Sequence, residues 1–111
     1  MNRLSVFINN ELVYEFDKNL TLEDMQLVFL DKMDADMDKG IKIRGELFKQ
    51  PDSQQRIVFV AMNLIKALQQ DNDAAKSVSC AYLVNRHADL LEVHANDQSG
   101  AVDIEFVRLN W

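Results

Sequence analysis

The two ends of this 111-residue chain carry the alternating apolar pattern of β-strands, whereas the middle carries the longer period of α-helices. Near the N-terminus, residues 4–8 and 12–16 are rich in β-branched and aromatic side chains. They are separated by Asn9, Asn10 and Glu11, and asparagine tolerates the left-handed backbone that tight hairpin turns require. This segment therefore predicts a β-hairpin.

A second β-hairpin is predicted at the C-terminal end of the chain. Residues 90–95 and 101–109 have the character of strands, and the segment between them is rich in the turn-forming residues Asn, Asp, Ser and Gly. Alternation along the last strand places Val102, Ile104 and Phe106 on its inner face.

The first helix is predicted over about residues 22–38. Thr21, with Asp24 three residues later, resembles a capping box at the start of this helix, and Gly40 is a natural stop after its end. Apolar residues recur within it at helical spacing, which indicates a face that packs on the core. The residues of this predicted face are Leu22, Met25, Phe29, Met33 and Met37.

The second helix is predicted to be the most buried element of the chain. Residues 41–50 have the pattern of a short extended connection, and Asp52 with Gln55 then has the spacing of another capping box. From Ile57 to Leu68 the chain is apolar on nearly every side. The pattern continues to Gln70, which is too long for a strand and therefore favours a helix.

Residues 74–86 are compatible with two structures. A strand would explain the alternation between Val78 and Val84, whereas a helix would begin after Asn72 or Asp73. The Asp-Ala-Ala-Lys opening of the segment favours the helix.

Strands at both ends with helices between them predict an α+β fold that forms one domain, residues 1–111. The expected architecture is an antiparallel sheet built from the N- and C-terminal β-hairpins, with two or three helices packed on one face of it. The order of elements is then ββαα(α)ββ.

The charge of the chain limits its partners and its location. The net charge is −6, of which −5 belongs to residues 1–40. Basic residues are scattered singly, which argues against a nucleic-acid partner held through its phosphates. The single Cys80 fits a reducing compartment, and the sequence shows no signal peptide and no apolar run of membrane-spanning length. A cytoplasmic protein without membrane association is therefore expected.

Metal and cofactor sites are not predicted. Alternating aspartates from Asp34 onward approach the pattern of a calcium-binding loop, but Gly40 and Glu46 each fall one position too late for it. The soft metal ligands lack the paired spacing of a zinc site. These ligands are Cys80, His87 and His94.

The acidic first helix predicts an interaction surface. We expect a small accessory protein that docks a basic protein partner by electrostatic complementarity. The residues assigned to this surface are Glu23, Asp31, Asp34 and Asp38. The alternative is a small enzyme or ligand-binding domain with a pocket between the sheet and the helices. Catalysis is not favoured, because the sequence carries no nucleophile motif. A pocket in which a carboxylate converges with His87 or Cys80 would support that alternative.

The end of the chain predicts a second kind of contact. Val107, Leu109 and Trp111 lie on the opposite face of the last strand from Ile104 and Phe106. If helices cover the inner face, these three residues form an apolar patch on the outer one, and such patches often mark subunit interfaces. A homodimer is therefore expected.

Overall fold

The computed structural model describes residues 3–19, 23–97 and 102–109. Six strands and three helices are present in this part of the chain, and they form an α+β fold, as the sequence predicts. The elements in chain order are β1 Arg3–Ile8, β2 Glu11–Asp17, α1 Asp24–Asp38, β3 Ile41–Ile43, β4 Glu46–Phe48, α2 Ser53–Gln69, α3 Asp73–Arg86, β5 Leu90–Asn96 and β6 Asp103–Arg108.

Four strands form the main sheet in the order β2-β1-β5-β6. Each predicted hairpin supplies one antiparallel half of this sheet, β1 with β2 and β5 with β6. The halves meet through β1 and β5, which run parallel. A parallel pair requires a long crossover connection, and the helical middle of the chain supplies it.

Local turn chemistry explains both short hairpins. Asn9 and Asn10, between β1 and β2, both have positive φ, 51° and 69°, as a type I′ turn requires. Residues 41–50 are extended as expected, but they also pair with each other as β3 and β4. The turn there consists of Arg44 and Gly45, both with positive φ.

The core lies between one face of the sheet and the helices. Its strand residues include Leu4 and Val6 of β1 and Val93 of β5, all with 0% exposure. Helix α2 contributes six buried residues, more than any other helix, which is consistent with its predicted central position. Those residues are Ile57, Val60, Ala61, Leu64, Ile65 and Ala67.

Helices α2 and α3 begin where side chains satisfy the first free N–H groups. The Asp52 carboxylate accepts a hydrogen bond of 2.8 Å from the N–H of Gln55, and the Gln55 amide oxygen accepts one of 2.9 Å from the N–H of Asp52. The Asn72 side chain accepts a hydrogen bond of 3.1 Å from the N–H of Ala75. Residues 74–86 therefore form a helix and not a strand. The predicted capping box of Asp52 and Gln55 at the start of α2 is confirmed.

Helix α1 begins later than predicted. Asp24 is its first residue and Glu23 is the N-cap, with the Gln26 amide oxygen accepting a hydrogen bond of 2.9 Å from the Glu23 N–H. The capping box is therefore formed by Glu23 and Gln26, and Thr21 of the predicted box lies outside the described residues. The helix ends as expected before Gly40, whose φ is 114°.

The predicted core face of α1 is wrong at its N-terminal end. Met25 and Phe29 are 84% and 48% exposed, whereas the buried residues of this helix are Leu30 and Met37. An α-helix has about 3.6 residues per turn, so residues spaced by four do not lie directly above one another. Each step of four moves the side chain by about 40° around the helix axis. The series therefore starts on the solvent side of α1 at Met25, packs partly against the core at Met33 and is buried at Met37.

Truncation of Leu64 to alanine tests the central role of α2. Leu64 has 0% exposure, so Leu64→Ala leaves a cavity and should lower the free energy of unfolding by about 2–5 kcal/mol. The matched control is Leu47→Ala on β4, where leucine is 52% exposed and the change should stay within about 0.5 kcal/mol. Urea unfolding followed by circular dichroism measures both values, and equal losses would contradict this assignment of the core.

Candidate interaction surface on helix α1

The four carboxylates assigned to the interaction surface have different surroundings. Glu23 is exposed at the N-cap of α1. The side chains of Asp31 and Asp38 are 76% and 64% exposed. Asp34 lies between them and turns toward α2 and α3, so that only 31% of its side chain is exposed. Asp34 is therefore turned mostly away from solvent, unlike the other three carboxylates.

Asp34 joins three helices through its carboxylate. Its Oδ1 accepts hydrogen bonds from the Tyr82 hydroxyl at 2.6 Å and from Arg56 Nη1 at 3.1 Å. Its Oδ2 accepts a hydrogen bond of 3.1 Å from Arg86 Nε. Since Arg56 belongs to the first turns of α2 and Tyr82 and Arg86 to the end of α3, this one side chain links α1 to both.

The surroundings of Asp34 keep it ionised. Burial by itself raises the pKa of Asp34, but the hydrogen bonds from Tyr82, Arg86 and Arg56 outweigh it and hold the pKa below its ordinary value. Burial and the hydrogen bond to Asp34 together raise the pKa of Tyr82. At neutral pH the carboxylate is therefore charged and the phenol keeps its proton.

The two arginines also bind the neighbouring aspartates. Arg86 Nη2 lies 2.8 Å from Asp31 Oδ1, and Arg56 donates a hydrogen bond to Asp38. Two guanidinium groups thus face three carboxylates, so two of the four negative charges predicted for this surface are balanced within the chain. Arg56 and Arg86 stand 22 and 52 residues from Asp34, and no local pattern in the sequence marks either as its partner.

Asp34 and the three residues that donate hydrogen bonds to it line a surface depression of about 360 Å³. Asp34 and His87 both line this depression, as the enzyme alternative requires. The depression lies among the helices, however, and not between the helices and the sheet. Burial, with Arg108 nearby, lowers the pKa of His87. Asp34 makes a weak general base, because its oxygens are engaged by donors and its pKa is lowered. Burial also raises the pKa of the Cys80 thiol to about 12, which keeps it protonated.

The N-terminal half of α1 presents apolar side chains to solvent. Met25 is 84% exposed, Val28 66% and Phe29 48%, and their spacing of three and four residues makes them neighbours on the helix surface. We call these three residues the α1 patch. Exposed Glu23 and Asp24 adjoin it at the start of the helix. Contiguous exposed apolar groups rimmed by polar residues are typical of interaction sites.

The outer side of the sheet carries the residues assigned to a dimer contact. Val107 and Leu109 are 41% and 44% exposed, and Trp111 lies outside the described residues. Further into the sheet, the rings of Phe7 and His94 are stacked, with centroids 4.5 Å apart. This side of the sheet therefore exposes apolar side chains at Val107 of β6 and at Leu109 just beyond it.

Comparison of the chain with family models, curated proteins and solved structures finds no match. Within residues 3–19, 23–97 and 102–109, no helix is long and apolar enough to cross a membrane. The same residues contain no group of three or more His, Cys, Asp or Glu side chains arranged to hold a metal ion.

Replacement of Asp34 by asparagine tests its role in fixing α1. At pH 7, Asp34→Asn weakens hydrogen bonds to charged donors and should lower the free energy of unfolding by about 1–3 kcal/mol. Because folding lowers the pKa of Asp34, its contribution is present above the unfolded pKa of about 3.9 and is lost as the pH falls through the folded value. The difference between the variant and the original chain should therefore shrink in acid.

Asp36→Asn is the matched control for this measurement. Asp36 is 60% exposed and lies 3.9 Å from Lys39, so its replacement should change stability by less than about 0.5 kcal/mol. Urea unfolding at a series of pH values compares the two variants. A pH-independent difference for Asp34→Asn would show that ionisation of Asp34 does not stabilise the fold.

Proposed function

We propose that this chain is a cytoplasmic interaction protein whose helix α1 binds a basic protein partner. The observation that carries the proposal is the α1 patch, three large apolar side chains exposed side by side on one helix. Glu23 and Asp24 at its edge supply negative charge on the exposed surface of the same helix.

The apolar and acidic parts of this surface have different roles. Full burial of a side chain of this size contributes about 1.5–3 kcal/mol, whereas an exposed ion pair contributes about 0–1 kcal/mol. The α1 patch therefore supplies most of the affinity. The carboxylates select a basic partner over an acidic one and speed its approach.

Of the four carboxylates assigned from the sequence, Glu23 and Asp31 have the exposure that direct contact with the partner requires. Asp34 acts on the partner only indirectly, by fixing the orientation of α1 against α2 and α3. Asp38 is exposed but lies at the far end of the helix from the α1 patch, beside Arg56.

A selection of random displayed peptides on the purified protein tests this function, because it samples many peptide sequences at once and requires no identified partner. Enriched peptides should be basic and should carry apolar residues at helical spacing. The double variant Met25→Ser, Val28→Ser should bind them about 100-fold more weakly, since it removes about 3 kcal/mol of apolar contact.

The control for this selection is Leu47→Ser, which removes an apolar side chain of 52% exposure from β4. It should leave peptide affinity unchanged. Enrichment of acidic peptides, or equal binding by the double variant and the original chain, would contradict the proposal.

We also propose that a second copy of the chain binds along β6. This strand is an edge of the sheet, and edge strands offer unpaired backbone groups to another strand. Val107 adds exposed apolar area there.

Sedimentation velocity at micromolar concentration tests this dimer. The original chain should sediment as a dimer, and Val107→Lys should sediment as a monomer, because it places two like charges in the contact. Val13→Lys is the matched control, since Val13 is also 41% exposed but belongs to β2, the opposite edge of the sheet. A monomeric mass for the original chain would refute the proposal.

A further inference from the structure

A groove of about 510 Å³ adjoins the α1 patch. Phe29 forms one wall of it and therefore belongs to both features. The opposite wall comes from the end of α2 and the start of α3, where small apolar side chains leave room for a larger one. These side chains are Ala67, Ala74, Ala75 and Val78.

The charge beside the groove is negative on its exposed surface. Asp71 and Asp73 flank Asn72, which lines the groove, and their side chains are 92% and 91% exposed. Both carboxylates contact Lys76 Nζ, at 3.2 and 2.8 Å, but the Lys76 side chain is only 11% exposed. Lys66 is the cation on the groove wall itself. With the two carboxylates at the start of α1 and exposed Lys32 one turn after Phe29, four acidic groups thus stand against three lysines.

We infer that the groove receives one large apolar side chain of a basic amphipathic helix from another protein, while neighbouring apolar residues of that helix cover the α1 patch. This inference rests on the function proposed above and specifies the form of the partner. Helical side chains form the walls, which suits the mode in which an amphipathic helix lies in an apolar groove. A second copy of this chain is disfavoured as the occupant, because its exposed apolar helix face, the α1 patch, is itself flanked by Glu23 and Asp24 and would bring like charges together.

A synthetic peptide of leucine and lysine, with leucine at positions i, i+3, i+4 and i+7, is the probe for this groove. Ala74→Phe fills the groove from an exposed position on α3 and leaves the α1 patch intact. It should weaken binding of the labelled peptide about tenfold or more, as measured by fluorescence anisotropy. Ala88→Phe makes the same change at an alanine in a different depression and should bind the peptide normally.

The outcomes separate the groove from the proposed function. If Ala74→Phe binds as tightly as the original chain while Met25→Ser, Val28→Ser binds weakly, the groove inference fails and the α1 patch remains a binding surface. If the peptide binds neither the original chain nor Ala88→Phe, both proposals fail. Equal binding of a peptide with glutamate in place of lysine would overturn the charge assignment. A dimer that Ala74→Phe dissociates would identify a second copy as the occupant and overturn the inference.

Discussion

The hydrogen bonds of the Asp34 carboxylate determine how α1 lies on the rest of the protein. This helix buries Leu30 and Met37 and packs Leu27 and Met33 on the core only in part, so apolar contact alone specifies its orientation weakly. A charged acceptor that meets donors from both α2 and α3 has a much narrower range of suitable geometries than an apolar contact. Directional polar contacts thus fix the rotation of α1 about its axis, and that rotation leaves its apolar patch in solvent.

The charge that α1 exposes in the folded chain differs from the charge that its sequence alone indicates. In the sequence, the aspartates of the first helix form an acidic cluster in which lysines are few. In the folded chain, Arg56 and Arg86 pair with the aspartates in the second half of the helix, whereas Glu23 and Asp24 lie exposed at its start beside the α1 patch. The surface that the sequence marks as electrostatic therefore also exposes large apolar side chains, those of Met25, Val28 and Phe29.

Features set by neighbouring residues could be predicted, and features set by distant contacts could not. The asparagine turn and the capping box of α2 depend on residues within three positions, and the sequence predicts both. For α3 the sequence leaves Asn72 and Asp73 open, and Asn72 is the cap. The cap of α1 is equally local, but the sequence does not identify Glu23. The core face of α1 was misjudged, because a four-residue spacing drifts around the helix and only tertiary contacts decide which part of the drift is buried. The partners of Asp34 and the parallel pairing of β1 with β5 join segments tens of residues apart. Local patterns carry no information about such pairs.

The parallel contact between β1 and β5 has a consequence for synthesis of the chain. Asn9 N–H donates a hydrogen bond of 2.8 Å to the carbonyl of Ala95, so the first strand is completed by residues translated much later. A two-stranded hairpin alone is at best marginally stable in water. On the ribosome, the N-terminal hairpin therefore stays without its central neighbour until β5 has emerged, and closure of the sheet is a late step of folding.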